Sequence, residues 1–380
     1  MKFVRSLTLV LLATFPLCLR AQDSLSFRGQ ISGYFNYSNS SDFTLTTGGR
    51  YIPQANYGIV LPMDRLLDFE ISATLGGHLS MDPFTRHSLG GTLKPYRGWA
   101  RFSGRNFDIR AGLQKINFGS ATMLRPLMWF DLLDPRDPLQ LTDGVYGLMG
   151  RYYTPSNANL WLWVLYGNQG VRAWQPFETA RRTPEIGGRL QLPAGMGELA
   201  ATFHHRKSEP IALKEVPVKN PNPIPENRVG IDGKWDLGVG VWFEATWSGQ
   251  RKQAIPGNHQ HLLTVGADYT FGVGNGLTLM TEHLEIALGP NLFTFAETGR
   301  FTAFSASYPV SLNHHLTAIV YRNWTDKNQY HFINWRIQMS QLQLFCIAFW
   351  NPHGGMLPAQ GEGAQMFSGR GAQLMLVYNY

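Results

Sequence analysis

The 380-residue chain lacks any long apolar run beyond its amino terminus, because Gly, Asn, Thr, Arg or Asp interrupts each one. None of these runs is close to the length of about 20 apolar residues that a membrane-spanning helix needs. The chain is also poor in charge: 16% of its residues are charged, whereas soluble domains average about 25%. With 13% aromatic residues, it has more apolar surface than an ordinary soluble surface accommodates. The composition therefore excludes a bundle of membrane helices and disfavours a soluble protein.

The amino terminus reads as an export signal. Lys2 and Arg5 supply a basic start, and Leu7–Leu19 form an apolar run that is too short to span a bilayer. The small side chain of Ala21 then offers a cleavage point. We therefore predict a signal peptide over residues 1–21 and a mature domain over residues 22–380.

Cysteine is nearly absent. Cys18 would leave with the signal, so Cys346 would remain alone and no intrachain disulfide could form. A lipoprotein signal ending at Cys18 is an alternative, although Leu17 replaces the small residue expected before a lipidated cysteine. The net charge of +7 is not concentrated in any basic run. Nucleic acid is therefore not expected as a partner.

What the chain does have is alternation between apolar and polar residues, the period of β-strands. The carboxyl terminus is clearest, with Ala372, Leu374, Leu376, Tyr378 and Tyr380 on one face of a strand and Gln373, Met375, Val377 and Asn379 on the other. Further examples are Phe107–Gln114, Ile231–Leu237, Val239–Trp247 and Phe332–Met339. Gly274-Asn275-Gly276 predicts a tight hairpin turn.

In lipid, every backbone donor and acceptor must be paired internally, which leaves only helices and closed barrels. We therefore predict an all-β fold, a transmembrane antiparallel β-barrel of about 16–18 strands, wide enough for an aqueous lumen. Asp232, Lys234 and Asp236 alternate along one strand and indicate a wet face. A soluble sandwich or propeller shows similar alternation. The export signal and the terminal aromatic strand argue against that alternative.

One stretch breaks the alternation. Pro126, Pro135 and Pro138 cannot lie inside a paired strand. The same stretch is too apolar for bulk water, with Leu127, Met128, Trp129, Phe130, Leu132 and Leu133 close together. We predict that residues 121–140 fold into the lumen and narrow the pore. The candidate pore constriction consists of Arg125, Asp131, Asp134, Arg136 and Asp137. Asp134 and Asp137 also suit turns, a role compatible with the first.

Residues Gly112–Tyr153 resemble porin-like outer-membrane barrels of the Bacteroidetes type. In those proteins a strand with a Gly-x-Gln-x-Ile-x-Trp/Phe-Gly pattern leads into a segment rich in proline and Asp-Pro units, as Gly112–Gly119 do here. Phe118 stands where many relatives have Trp, and Leu113 where Arg is common. The resemblance implies a channel but weakens any transfer of substrate preference.

The expected function is a porin-like channel of the bacterial outer membrane for passive or weakly selective diffusion of small polar solutes, without a cofactor. Expected partners are outer-membrane lipid and lipopolysaccharide, the barrel assembly machinery that recognises a terminal aromatic strand, and those solutes; oligomerisation of the barrel is left open. The alternative is a non-conducting barrel that binds at the cell surface or forms complexes. Enzymatic activity is not expected: His259 and His261 could share a face as metal ligands, but no carboxylate lies at suitable spacing, and no catalytic serine signature is present.

Overall fold

A computed structural model describes residues 24–39, 44–82, 86–175, 177–209, 223–250, 259–291, 293–353, 357 and 364–380. The predicted signal peptide lies outside the described residues. No helix among the described residues is long and apolar enough to cross a membrane.

The described residues form 18 strands in one sheet. In chain order they are β1 Ser24–Ser38, β2 Leu45–Leu61, β3 Arg65–Asp82, β4 Arg86–Ser103, β5 Phe107–Gln114, β6 Val145–Tyr153, β7 Asn159–Leu165, β8 Glu185–Ala194, β9 Gly197–Ser208, β10 Ile224–Asp236, β11 Gly240–Gln250, β12 His259–Phe271, β13 Leu277–Gly289, β14 Glu297–Ser311, β15 His314–Asn323, β16 Gln329–Met339, β17 Leu342–Trp350 and β18 Arg370–Asn379. A 3₁₀ turn, Ala364–Phe367, precedes β18.

The sheet closes on itself. Each strand pairs antiparallel with its neighbours in the chain, and β18 pairs with β1 from Gln30↔Asn379 to Ser38↔Gly371. The backbone of Tyr380 extends this seam by exchanging two 3.1 Å hydrogen bonds with Gly29. Closure leaves no open sheet edge, as a lipid environment requires. The predicted fold class is confirmed, at the upper end of the expected strand number.

The alternation predicted for β18 is present in the structure. Leu374 and Leu376 on the outer face are 50% and 48% exposed, whereas Gln373, Met375 and Val377 on the inner face are at most 7% exposed. Large apolar side chains cover the outside of the other strands in the same way. The outer surface is therefore apolar, as expected of a wall that faces lipid.

The two ends of the barrel differ. At one end the strands are joined by tight turns, including the predicted hairpin, where the N–H of Gly276 donates to the carbonyl of Val273 at 3.0 Å. Gly274 and Gly276 adopt φ of 57° and 101°, a conformation that favours glycine. Most connections at the opposite end are longer, and the β5–β6 connection enters the barrel. In bacterial barrels the short turns face the periplasm.

One side of the lumen has a more apolar lining than the alternation of polar and apolar residues suggested. Inner-face residues of β12–β18 form a buried apolar cluster that also contains Leu124, Leu357 and Phe367 from the connections. Members on the wall include Leu262, Leu284, Ile319, Phe332, Phe345, Ile347 and Phe349. The connections pack on this part of the wall and bury its inner face.

Candidate pore constriction

Residues 115–144, which we call the inward segment, connect β5 to β6 without forming a strand. Two glutamates on the barrel wall hold the first half of the inward segment. The carboxylate of Glu282 on β13 accepts the backbone N–H groups of Thr122, Met123 and Leu124 at 2.7, 2.9 and 2.6 Å. That of Glu244 on β11 accepts the N–H groups of Ala121 and Leu127 at 2.7 and 3.0 Å. Since these glutamates lie on the inner face, the segment folds into the lumen, as predicted.

Aromatic packing fixes the middle of the inward segment. The rings of Phe118 and Trp163 stack with centroids 5.8 Å apart, and Phe130 meets His204 edge to face at 5.0 Å. Trp129 is 4% exposed within the same buried cluster. Trp163 and His204 belong to β7 and β9, so the apolar stretch is sheltered against the inside of the wall.

The two predicted arginines are tied within the inward segment. Arg125 is 6% exposed and pairs with Asp131 at 3.0 Å; it also donates to the side chain of Asn117 at 3.0 Å. Arg136 is 4% exposed and pairs with Asp134 at 2.5 Å. Both guanidinium groups thus brace the segment instead of presenting a free charge to solute.

The predicted aspartates have a turn role and also face a cavity. Oδ1 of Asp134 accepts the N–H of Arg136 at 2.9 Å, and Oδ1 of Asp137 accepts the N–H of Leu139 at 3.0 Å. Asp131, Asp134 and Asp137 line a cavity of about 580 Å³ between the inward segment and the wall. The structure therefore brings three of the five predicted residues to the water-accessible space.

The residues on the opposite side of the cavity were not predicted from the sequence. The basic and aromatic lining of this side comes from β1–β4: Tyr34, Arg50, His78, Lys94 and Tyr96. Lys94 forms a 2.8 Å ion pair with Asp143 of the inward segment, whereas Arg50 makes no ion pair among the described residues. The alternation that places a residue on the inner face was the only available signal for them, and it does not say which inner residues meet the inward segment.

Burial perturbs the charges on the inward segment. It raises the pKa of Asp131, an effect that Arg125 opposes, and it also raises the pKa of Asp137. Burial lowers the pKa of Lys115. Asp131 and Asp137 are therefore more easily protonated than a free aspartate.

The described part of the chain offers no metal centre beside this cavity. Among the described residues no group of three or more His, Cys, Asp or Glu side chains could hold a metal ion. His259 and His261 do share the outer face of β12, where Nδ1 of His259 accepts the indole N–H of Trp247 at 3.3 Å.

No family model matches the chain, and no curated protein does. Several solved structures are similar to the chain. Pseudomonas aeruginosa OccK5 (OpdH) superposes with a TM-score of 0.58 at 10% identity, over 94% of this chain and 97% of the other. The outer membrane channel DcaP of Acinetobacter baumannii gives 0.52 at 10% identity, over 95% and 98%. The anion-selective porin from Comamonas acidovorans gives 0.50 at 12% identity, over 94% and 100%. The chain thus has the barrel fold of bacterial outer-membrane porins and channels.

Proposed function

We propose that the protein is a porin-like channel of the bacterial outer membrane through which small polar solutes diffuse without a cofactor and without enzymatic turnover. One observation carries this proposal: a closed barrel with an apolar exterior contains a cavity of about 580 Å³ that is lined by charges of both signs. Cleavage after residue 21, insertion by the assembly machinery and contact with lipid and lipopolysaccharide belong to the same proposal. Two of the similar solved structures, an outer membrane channel and an anion-selective porin, support it.

The Bacteroidetes type is part of the proposal. It rests on the Gly112–Gly119 pattern and on the Asp-Pro units that follow it. The inward segment supports it as well, because the pattern stands where β5 ends and the chain turns into the lumen.

Selection would occur by charge and size. Asp137 stands on one side of the cavity and Arg50 on the other, and neither forms an ion pair among the described residues. Asp131, Asp134 and Lys94 also line the cavity, but each is paired with a neighbouring opposite charge. Opposed charges across a constriction create a transverse field that orients polar solutes. The inward segment sets the width, because two glutamates and an aromatic cluster hold it at a distance from β1–β4.

A linker variant tests the proposal. Purified parent protein should give stepwise conductance in a planar bilayer. Replacement of residues 121–140 by a short Gly/Ser linker should preserve heat-modifiable migration on gels, because strand pairing does not involve them, and should increase both conductance and the size limit in liposome swelling. A folded parent without conductance would refute the channel; a folded linker variant that conducts like the parent would refute the constriction.

A non-conducting barrel that binds at the surface is the second candidate. The apolar cluster favours it, because Leu124, Leu357 and Phe367 fill the lumen beside β12–β18. This candidate would be supported if the parent protein gave no conductance in bilayers and the linker variant did.

A further inference from the structure

The lumen holds a row of arginines below the inward segment, toward the end with short turns. Arg101, Arg110, Arg151 and Arg189 project inward from β4, β5, β6 and β8. The two at the ends of the row are neutralised: Arg101 pairs with Asp68, and Arg189 pairs with Asp232 at 2.5 Å. The middle two form no ion pair with any carboxylate of the described residues.

Tryptophan rings hold these middle arginines in place. The guanidinium of Arg110 lies 4.5 Å from the ring centre of Trp99, and that of Arg151 lies 4.0 Å from that of Trp161. Nε of each arginine is buried without a hydrogen-bond partner. A ring covers one face of a guanidinium and leaves its edges to bind a planar or tetrahedral oxyanion.

The register places the two charges within reach of one ligand. Arg110 is paired with Met149, so Arg151 is its diagonal neighbour two residues further along β6. Such neighbours lie about 7–8 Å apart, a span that two arginine side chains close around a single anion. Arg110 also stands directly opposite Arg101, and like charges in that position repel each other.

The nearby acids do not pair directly with Arg110 or Arg151. Asp108 lies opposite Arg151 but accepts a hydrogen bond from the hydroxyl of Tyr153 at 2.8 Å, and Asp68 is bound by Arg101. Glu70 lies opposite Trp99 on β3 and forms no ion pair among the described residues. The row therefore has at its centre two guanidinium groups that form no direct ion pair with a carboxylate of the described residues.

We propose that Arg110 and Arg151 form an oxyanion-binding site for permeating solutes, a second station on the short-turn side of the constriction, which takes a carboxylate or phosphate group. The inference rests on the proposed channel function and adds a substrate class to it, small organic or inorganic oxyanions. Trp161 links the site to the constriction, because its ring meets Phe118 of the inward segment edge to face at 6.3 Å.

Binding is tested apart from conduction. Inorganic phosphate and citrate are titrated into the full barrel in detergent at low salt, with heat measured by isothermal titration calorimetry. We expect saturable binding that weakens about tenfold or more in the Arg110→Gln/Arg151→Gln variant, since two charged hydrogen-bond donors are lost. The Arg65→Gln/Arg105→Gln variant has the same net charge but alters exposed residues at the short-turn end, one at the start of β3 and one in the β4–β5 connection, and it should bind like the parent.

Current block by citrate added on the short-turn side provides the second measurement. Its half-blocking concentration should rise in the Arg110→Gln/Arg151→Gln variant and stay unchanged in the control. If the glutamine variant does not fold, Arg110→Lys/Arg151→Lys keeps the charge and removes the planar edges, so its binding should fall between the two. A parent that conducts without saturable binding, or variants that bind equally, would overturn the site and leave the channel standing. Binding without conductance would overturn the channel alone.

Discussion

Glu282 provides the sharpest test of how the constriction is built. Besides three backbone N–H groups, its carboxylate accepts the hydroxyl of Thr122 at 3.1 Å and the indole N–H of Trp242 at 3.0 Å. No cation pairs with it among the described residues. Its charge is therefore balanced by the dipoles of the inward segment and one indole, and the carboxylate and the segment hold each other in place.

The Glu282→Gln variant keeps the shape but turns one oxygen into an N–H donor. Oε2 alone accepts the N–H groups of Met123 and Leu124. Loss of two bonds to a charged acceptor weakens the attachment by about 3–6 kcal/mol, an upper bound because a neutral amide is cheaper to bury than a carboxylate. The backbone pairs that β13 makes with β12 and β14 are unaffected, so the barrel should still assemble.

The assay is single-channel recording together with liposome swelling. Glu282→Gln should show larger current fluctuations, a higher mean conductance and a higher size limit than the parent. The matched control is Glu285→Gln, which removes the same charge from the same strand at a 52% exposed side chain on the outer face. Identical recordings from parent and Glu282→Gln would refute the idea that this carboxylate holds the segment.

Three further predictions concern the wall, the seam and pH. Leu376→Arg should destabilise the barrel by about 2–4 kcal/mol, as a charge at the lipid midplane does, whereas Thr92→Arg in the cavity should not; unfolding midpoints in lipid would show whether the faces are assigned correctly. Deletion of Tyr380 should slow assembly more than Tyr380→Phe, measured by heat-modifiable migration, because only the deletion removes the two seam bonds to β1. Acidification should increase anion preference, since the raised pKa of Asp131 and Asp137 makes them lose charge at a pH above the ordinary value of 3.8; a reversal potential that stays constant until the pH falls well below that value would contradict this.

The wall was predictable because a membrane barrel imposes a two-residue period along each strand. The prolines made the inward segment predictable for the opposite reason, since Pro126, Pro135 and Pro138 forbid strand pairing. Both signals are local, and each can be read without knowing what lies across the barrel.

Contacts across the lumen could not be read in this way. Glu282 contacts Leu124, from which it is separated by 158 positions along the chain. No local pattern near either residue predicts that contact. Alternation also fails on β17, where Phe345, Ile347 and Phe349 face a packed lumen with at most 3% exposure while other apolar residues face outward. In the sequence, an apolar inner face cannot be distinguished from a lipid-facing one, because the connections that cover it are recognised only in the folded structure.

The charges of the constriction show why residue type alone does not define selectivity. Arg125 and Arg136 were expected to act on solute, but each meets an aspartate a few residues along the chain, at 3.0 and 2.5 Å. A paired and buried arginine contributes little field at a distance, because its partner cancels the charge. Arg50 has no such partner among the described residues, and it faces the cavity from β2. Selectivity should therefore follow the charges that the fold leaves unpaired, and Arg50→Gln should change the anion preference more than neutralising Arg125 or Arg136.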